Sequence, residues 1–365
     1  MDEHGNKTAY AVWVVTPNGV TLGRNIIDRL PIADLYCSGS LSLTGIERQQ
    51  TVAFDRLSEV LADQFHRYRG HIFIMSTGIV VRVIAPFIRS KMEDPAVVVV
   101  DDRGKHAISL LSGHLGGAND LAVQIAGWIG AEPVITTATD VNKVPAIDVL
   151  AVERGLQIEN PGAIKLINMA FLTTRPIYLY DPYRLLGDAL PEPVIPIPPD
   201  RLDEKNGIFK GELPPDMPGV FVSDIRVDLP SSFLVLRPGS LAAGIGCNRN
   251  TDKDEIMALL VSVLESHRLA ITSLACIASV DIKNDEPGLI GLAEDLDLPL
   301  VFYSRAELNQ VQSIQTPSQM VQKHIGVQSV CEAAAILATD RGKLIVPKHK
   351  TPNATTAIAR IPFSL

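Results

Sequence analysis

Cysteine is scarce in this chain and scattered: Cys37, Cys247, Cys276 and Cys331 include no C-x-x-C pair. That spacing excludes a disulfide framework and a cysteine-rich zinc site, and reduced thiols are the default. Long apolar runs are missing as well. Nothing approaches the roughly 18 residues of a membrane span, and the opening MDEHGNKTAY is polar, so the sequence predicts a cytoplasmic protein with no membrane partner. Basic charge is in short supply, with 33 Lys and Arg against 41 Asp and Glu and a formal net charge of −8. Nucleic acid is therefore not expected as a partner. The glycine-rich loops show no G-x-G-x-x-G, P-loop or H-E-x-x-H pattern, so neither a nucleotide nor a catalytic zinc is inferred.

What is present begins with Ile108 to Leu121, ISLLSGHLGGANDL, an apolar run that passes through a glycine-rich polar turn into an amphipathic segment. It reads as strand, loop and helix start. Gly113, Gly116 and Gly117 let another molecule approach the backbone, while Ser112, His114 and Asn119 bring donors and acceptors into one loop. The plainer alternative is a connector in which Asn119 caps the next helix.

Around this stretch, short apolar strands alternate with periodic helices. Tyr10–Val15, His71–Met75, Val97–Val100 and Pro133–Thr137 read as strands, and 20–30, 53–68, 79–88 and 119–129 as helices. In an open α/β sheet ligands lie beyond the carboxyl ends of the strands. The loops at Ser76-Thr77-Gly78, Asp101-Asp102, 112–119 and 136–140 are thus expected to share one crevice.

Composition shifts near Ala151: 13 of the 25 prolines fall between 151 and 238, which marks a small domain or elaborated linker with strands at Ile177–Tyr180 and Val220–Val222. A second α/β unit opens at LAAGIGCNRNT, with Thr251 as expected cap of a helix through Ile256, Leu259, Leu260, Val263 and Leu264. Pro287 begins another helix, and strands follow at 300–303, 344–346 and 355–361. The fold class expected is α/β, with units at 1–148 and 239–365 joined by a proline-rich middle, 149–238. From Arg341 onward Lys343, Lys348, Lys350 and Arg360 accumulate without an acidic residue; this patch is either a solvated face or a contact for an anionic ligand.

Taken together, ISLLSGHLGGANDLA and VITTATD in the first third, with GIGCNRNT, ASVDIKNDEPGL and KHIGVQSVCEAAAI in the last, resemble the cobalt-precorrin-5A hydrolases (CbiG) of anaerobic cobalamin biosynthesis. The resemblance follows order and spacing through both ends, and in the middle only position and character. It implies opening of the ring-A δ-lactone of a cobalt-containing tetrapyrrole, giving cobalt-precorrin-5B and acetaldehyde. The protein then needs no cofactor of its own, because cobalt arrives inside the substrate, and other enzymes of the pathway are possible partners.

Lactone opening requires an activated water and a stabilised oxyanion. His114 suits the first task as base and then acid. Amides of Gly116 and Gly117 suit the second, with Thr137, Thr139 or Asp140 orienting the imidazole or substrate. Glu286 is the reserve base, or only the first residue of a helix. Further substrate contacts are expected from Ser76, Thr77, Gly78, Ser112, Gly113, Asn119, Gly246, Arg249, Lys283, Lys348 and Lys350. Glu332, three residues after Ser329, reads as a capping box, Cys247 as a small buried residue, and His324 as a helix-end residue or a ligand. A non-catalytic tetrapyrrole carrier or a hydrolase of a smaller lactone would draw on overlapping features.

Overall fold

The computed structural model describes residues 9–362 apart from 31, 42–50, 91–92, 115, 212 and 214–215. Residues 1–8, and with them most of the polar opening stretch, lie outside the described residues, as does the side chain of His324. The chain divides into two compact units, Met1–Val149 and Leu150–Leu365.

The first unit runs β1 (Tyr10–Val14), α1 (Pro17–Ile27), β2 (Ala33–Ser38), β3 (Thr51–Phe54), α2 (Leu57–Gln64), β4 (Gly70–Ile74), α3 (Thr77–Ile84), β5 (Ala96–Val100), β6 (His106–Leu111), α4 (Ala118–Ile129), β7 (Glu132–Val134) and α5 (Ala138–Val141), and ends within α6 (Ile147–Glu153). Its seven strands form one sheet in the order β3-β2-β1-β4-β5-β6-β7. Side chains alternate across it as a pleated strand requires. Val12 and Val14 pack with Ile26, Leu121 and Ile125 on one face, while Ala11 and Trp13 pack with Leu61, Phe65, Val80 and Ile84 on the other. A sheet covered on both faces accounts for the unbroken valine run of β5.

One connection reverses the chain. β1 to β5 all run parallel, but β6 pairs antiparallel with β5 and β7 parallel with β6. The carboxyl ends of β4 and β5 therefore open on one edge of the sheet and those of β6 and β7 on the opposite edge. This overturns the expected single crevice: Ser76, Thr77 and Gly78 lie with Asp101 and Asp102 at one edge, and the Ser112–Asn119 loop lies with Thr137 and the short α5, which carries Thr139 and Asp140, at the other.

The second unit contains two larger sheets. The first is built from β8 (Leu156–Ile158), β9 (Ile177–Tyr180), β10 (Val194–Pro196), β13 (Gly219–Val222) and β14 (Phe233–Pro238), in the order β10-β9-β13-β14-β8, with α7 (Ile164–Leu172) after β8 and a small ribbon, β11 (Leu202–Asp203) with β12 (Ile208–Phe209), inserted after β10. The second takes the order β17-β16-β15-β19-β18 from β15 (Leu241–Cys247), β16 (Leu274–Val280), β17 (Leu300–Tyr303), β18 (Lys343–Lys350) and β19 (Ala354–Arg360). Its helices are α8 (Lys253–Ser266), α9 (Pro287–Leu296), α10 (Arg305–Leu308), α11 (Gln319–His324) and α12 (Val330–Leu337). The proline-rich segment thus carries its own sheet, and Tyr180, Phe221 and Phe233 from it share one apolar cluster with Leu241, Ile256, Leu260 and Ile358. On the far face of the second sheet α12 lies so close that a Cβ at Gly244 would stand 1.9 Å from the Cys331 carbonyl oxygen, which only glycine permits.

Two expected caps are replaced. Asp252, not Thr251, caps α8 by accepting from the Asp254 amide, while the Thr251 hydroxyl donates to the Asn248 carbonyl at 2.9 Å. Ser329 precedes α12 without a side-chain cap bond. Glu332 instead accepts from the amides of Gln315, Thr316 and Lys348 at 2.8, 3.1 and 2.9 Å. A fully buried carboxylate must find several donors, and these anchor the approach to α11 against β18.

Candidate functional site

The loop after β6 is shaped by its glycines. Gly117 has φ +81° and precedes α4, and a Cβ at Gly116 would fall 2.3 Å from the Ser112 Cβ. Ser112 itself sits in the left-handed region at φ 57°, and its hydroxyl is buried with no partner among the described residues. Amides of Gly117, Ala118 and Asn119 close the loop on the carbonyls of His114, Ser112 and Gly113 at 2.9, 3.1 and 3.0 Å. The Gly117 N–H is therefore spent inside the loop, which removes it from the expected oxyanion donors and leaves Gly116.

Asn119 is no cap. It lies inside α4, 5% exposed, and its amide group donates to Thr137 Oγ1 at 2.8 Å and Asp140 Oδ2 at 3.1 Å while accepting from Ser109 Oγ at 2.7 Å. His114 completes the cluster. Its Nε2 lies 2.8 Å from Asp140 Oδ2 and 3.0 Å from Thr139 Oγ1, and its Nδ1 lies 3.7 Å from Asp148 Oδ2. The structure thus brings together His114, Asn119, Thr137, Thr139 and Asp140, and adds Ser109 and Asp148. Asp148 had one signal in the sequence, an acid inside the apolar stretch of α6; it is 3% exposed. Ser109 had none, because a serine in a strand carries no periodic cue.

The electrostatics follow from the two carboxylates. Asp148 raises the His114 pKa, burial opposes it, and Asp140 raises it further, so the net shift is upward. For Asp140, burial pushes the carboxyl up, but bonds from Thr137 and His114 outweigh it and hold it below the ordinary value. His114 thus stands between two carboxyl groups, both of which favour its protonated form. His114 keeps 19% of its side chain exposed and Asp140 39%, so both are within reach of a ligand.

In the second unit the loops after β15 and β16 meet. Glu286, 0% exposed, accepts from the Asn250 amide at 2.5 Å and from Lys283 Nζ at 3.1 Å, with Arg249 Nη1 at 3.5 Å. Arg249 also donates to Asp285 and, at 2.8 Å, to the Ile282 carbonyl. Gly246 is held by Thr355, whose hydroxyl donates to its carbonyl at 3.1 Å. Glu286 is enclosed by cations and amides of its own chain, an arrangement that ties two loops together and leaves no oxygen facing solvent. Cys247 is half-buried, and burial pushes its thiol up to about 11, away from the thiolate a nucleophile requires.

The basic patch is dispersed along the β18–β19 hairpin. Lys348 Nζ donates to the Thr316 carbonyl at 2.5 Å, Arg360 binds Asp224 at 2.8 Å, and Lys350 is exposed. Lys343 and Lys350, at the two ends of β18, stand roughly 20 Å apart at the ordinary rise of a strand. Among the described residues no group of three His, Cys, Asp or Glu is arranged to hold a metal ion, and no helix is long and apolar enough to cross a membrane.

The folds and clusters define an α/β protein whose polar networks are carried on loops at strand ends. Three family models match it in succession: Cobalamin synthesis G N-terminal over residues 59–140, Cobalamin biosynthesis central region over 145–238, and Cobalamin synthesis G C-terminus over 241–359. A cobalt-precorrin-5A hydrolase from Salmonella typhimurium is 36% identical over 341 residues, spanning 92% of this chain and 93% of that relative. Another from Priestia megaterium is 33% identical over 365 residues, 97% and 95% of the two chains. Among solved structures, CobE, a protein from the cobalamin (vitamin B12) biosynthetic pathway, is 35% identical with a TM-score of 0.33 over 34% of this chain and 94% of its own. The chain belongs to the cobalt-precorrin-5A hydrolase (CbiG) family. It is accordingly an enzyme, a hydrolase of cobalamin biosynthesis.

Proposed function

We propose that this enzyme opens the ring-A δ-lactone of cobalt-precorrin-5A with water and releases acetaldehyde, leaving cobalt-precorrin-5B. The observation that carries this reading is the near full-length identity to two cobalt-precorrin-5A hydrolases; the cluster around His114 supplies a chemistry that suits it. Water adds to the lactone carbonyl and gives up a proton, and the tetrahedral intermediate collapses to a carboxylate and a free hydroxyl. That hydroxyl then loses its proton, the bond joining its carbon to the macrocycle breaks, and the two-carbon fragment leaves as acetaldehyde while the electron pair stays on the macrocycle. Both stages need a group that accepts protons.

His114 takes that role, oriented by the buried Asp148 on Nδ1, with Nε2 directed to the more exposed Asp140 and Thr139. Base work begins from the neutral ring with Nε2 turned to the reacting water, and the two carboxyl groups stabilise the proton once His114 has taken it up. The Gly116 amide serves the oxyanion. Ser112, Gly113, Asn119 and Thr137 hold this loop. In the second unit, taken by itself, Arg249, Lys348 and Lys350 are cations of the kind a polycarboxylate attracts. Glu286, Lys283 and Gly246 support the loops from which Arg249 projects. Cobalt enters as part of the substrate and the protein supplies no cofactor of its own. A cytoplasmic setting fits four cysteines that are all unpaired.

The test is direct. Purified enzyme incubated with the cobalt macrocycle should release one aldehyde per lactone opened. Binding without aldehyde would favour a carrier, and aldehyde-free hydrolysis of simple lactones would favour a smaller substrate.

A further inference from the structure

We infer that the second unit holds a binding site for an amphipathic polycarboxylate, in a cavity of about 750 Å³ beside the ends of β18 and β19. The volume lies within the range of small-molecule sites. Leu269, Leu344, Val346 and Ile361 form apolar walls, and three cations, Lys205, Lys343 and Arg360, stand around them with a single carboxylate, Glu204. With buried Asp224 counted behind Arg360, one net positive charge remains around the cavity, in a chain whose formal net charge is −8.

The cations are placed by the fold. Lys343 and Arg360 are direct partners across the β18–β19 ladder, and like charges directly opposed on a ladder repel. Asp224, 0% exposed, fixes the Arg360 fork at 2.8 Å, and the Tyr183 hydroxyl accepts from Nη1 at 3.4 Å. Lys205 sits in the tight turn from Asp203 to Gly207, where the Asp203 carboxylate accepts its amide at 3.1 Å. Glu204 is held loosely: its oxygen is 3.6 Å from Arg360 Nη1 and its side chain is 53% exposed. An incoming carboxylate takes Glu204's place on Arg360, and a second one relieves the opposition of Lys343 to Arg360, so the site favours ligands with several carboxylates on an apolar body. The ligand class on the page with that chemistry is the tetrapyrrole, and to that extent the inference rests on the proposed function.

Cobyrinic acid, a cobalt macrocycle rimmed with free carboxylates, serves as probe, with amide-rimmed cobinamide as control, both titrated into the full chain. The wild type should bind cobyrinic acid more tightly than cobinamide. Lys205→Gln/Lys343→Gln should weaken cobyrinic acid by about tenfold at low salt and less at high salt. Glu204→Gln, which removes the competing carboxylate, should tighten it. No binding, equal binding of the two probes, or an unchanged double variant would overturn the site. Both lysines are exposed and outside the His114 cluster, so acetaldehyde release tests the reaction independently: turnover without cobyrinic acid binding defeats this inference alone.

Discussion

Asn119 donates to the same oxygen of Asp140 that faces His114 Nε2, at 3.1 Å against 2.8 Å for the imidazole. A helix residue thereby fixes the carboxylate on which the histidine rests. Asn119→Ala should leave the KM for the macrocycle nearly unchanged and lower kcat by about tenfold or more, because a misaligned proton-transfer group is lost from the transition state only. A rise in KM with kcat unchanged would mean that Asn119 contacts substrate and positions nothing.

His114→Ala removes the proton acceptor itself. Acetaldehyde release should fall by about 10² to 10⁴, with macrocycle binding retained. Full turnover in this variant would take the base away from His114.

The pH dependence has a definite sign. His114 is held above its ordinary pKa by Asp148 first and Asp140 next, so a base role makes kcat/KM rise with pH through a value higher than that of a free histidine. Asp148→Asn removes the larger upward influence and should move this acid limb to lower pH. In stability the same shifts act differently. The His114 contribution is complete below its unfolded pKa and disappears as pH rises through the raised one; the Asp140 contribution is present above its unfolded pKa and disappears as pH falls through the lowered one. The cluster is therefore firmest at mildly acid pH, where activity is still suppressed. An acid limb that stays fixed in Asp148→Asn would count against His114 as the titrating group.

Glu286→Gln separates support from chemistry. Removing one charge of a fully buried pair leaves Lys283 uncompensated and typically costs about 3 kcal/mol or more, so calorimetry should show a clearly lower Tm. Turnover per folded molecule should change little. A rate loss of a hundredfold or more at unchanged Tm would restore Glu286 as a catalytic base.

Much of this was legible before any coordinates. Pro287 to Leu296 and Leu300 to Tyr303 are an element each, announced by a proline at a helix start and by a β-rich run. The association of His114 with Thr139 and Asp140 came from the rule that polar residues at strand ends gather. That rule misled where it assumed that every strand ran the same way. Only Asp101 to Lys105 separates β5 from β6, and a parallel crossover needs a dozen residues or more, so that short count itself requires the reversal. Asn119 and Glu332 resembled capping residues, but burial outweighed local pattern: each is enclosed, and an enclosed polar group is claimed by distant partners such as Thr137 and the Lys348 amide. Those partners are 18 and 16 residues away along the chain, beyond any helical period.

The five-residue reversal also bears on the order in which the first unit assembles. Asp101 accepts amides from Arg103, Lys105 and His106 at 2.9, 3.0 and 2.7 Å, so the turn is specified locally and β5 can zip to β6 as a ribbon. Pairing of β1 with β4 must instead close the long segment between them, a slower event because chain entropy is lost before any contact repays it. Topology therefore predicts that the strand delivering the His114 loop joins the valine-rich β5 before the distant parallel strands β1 and β4 pair.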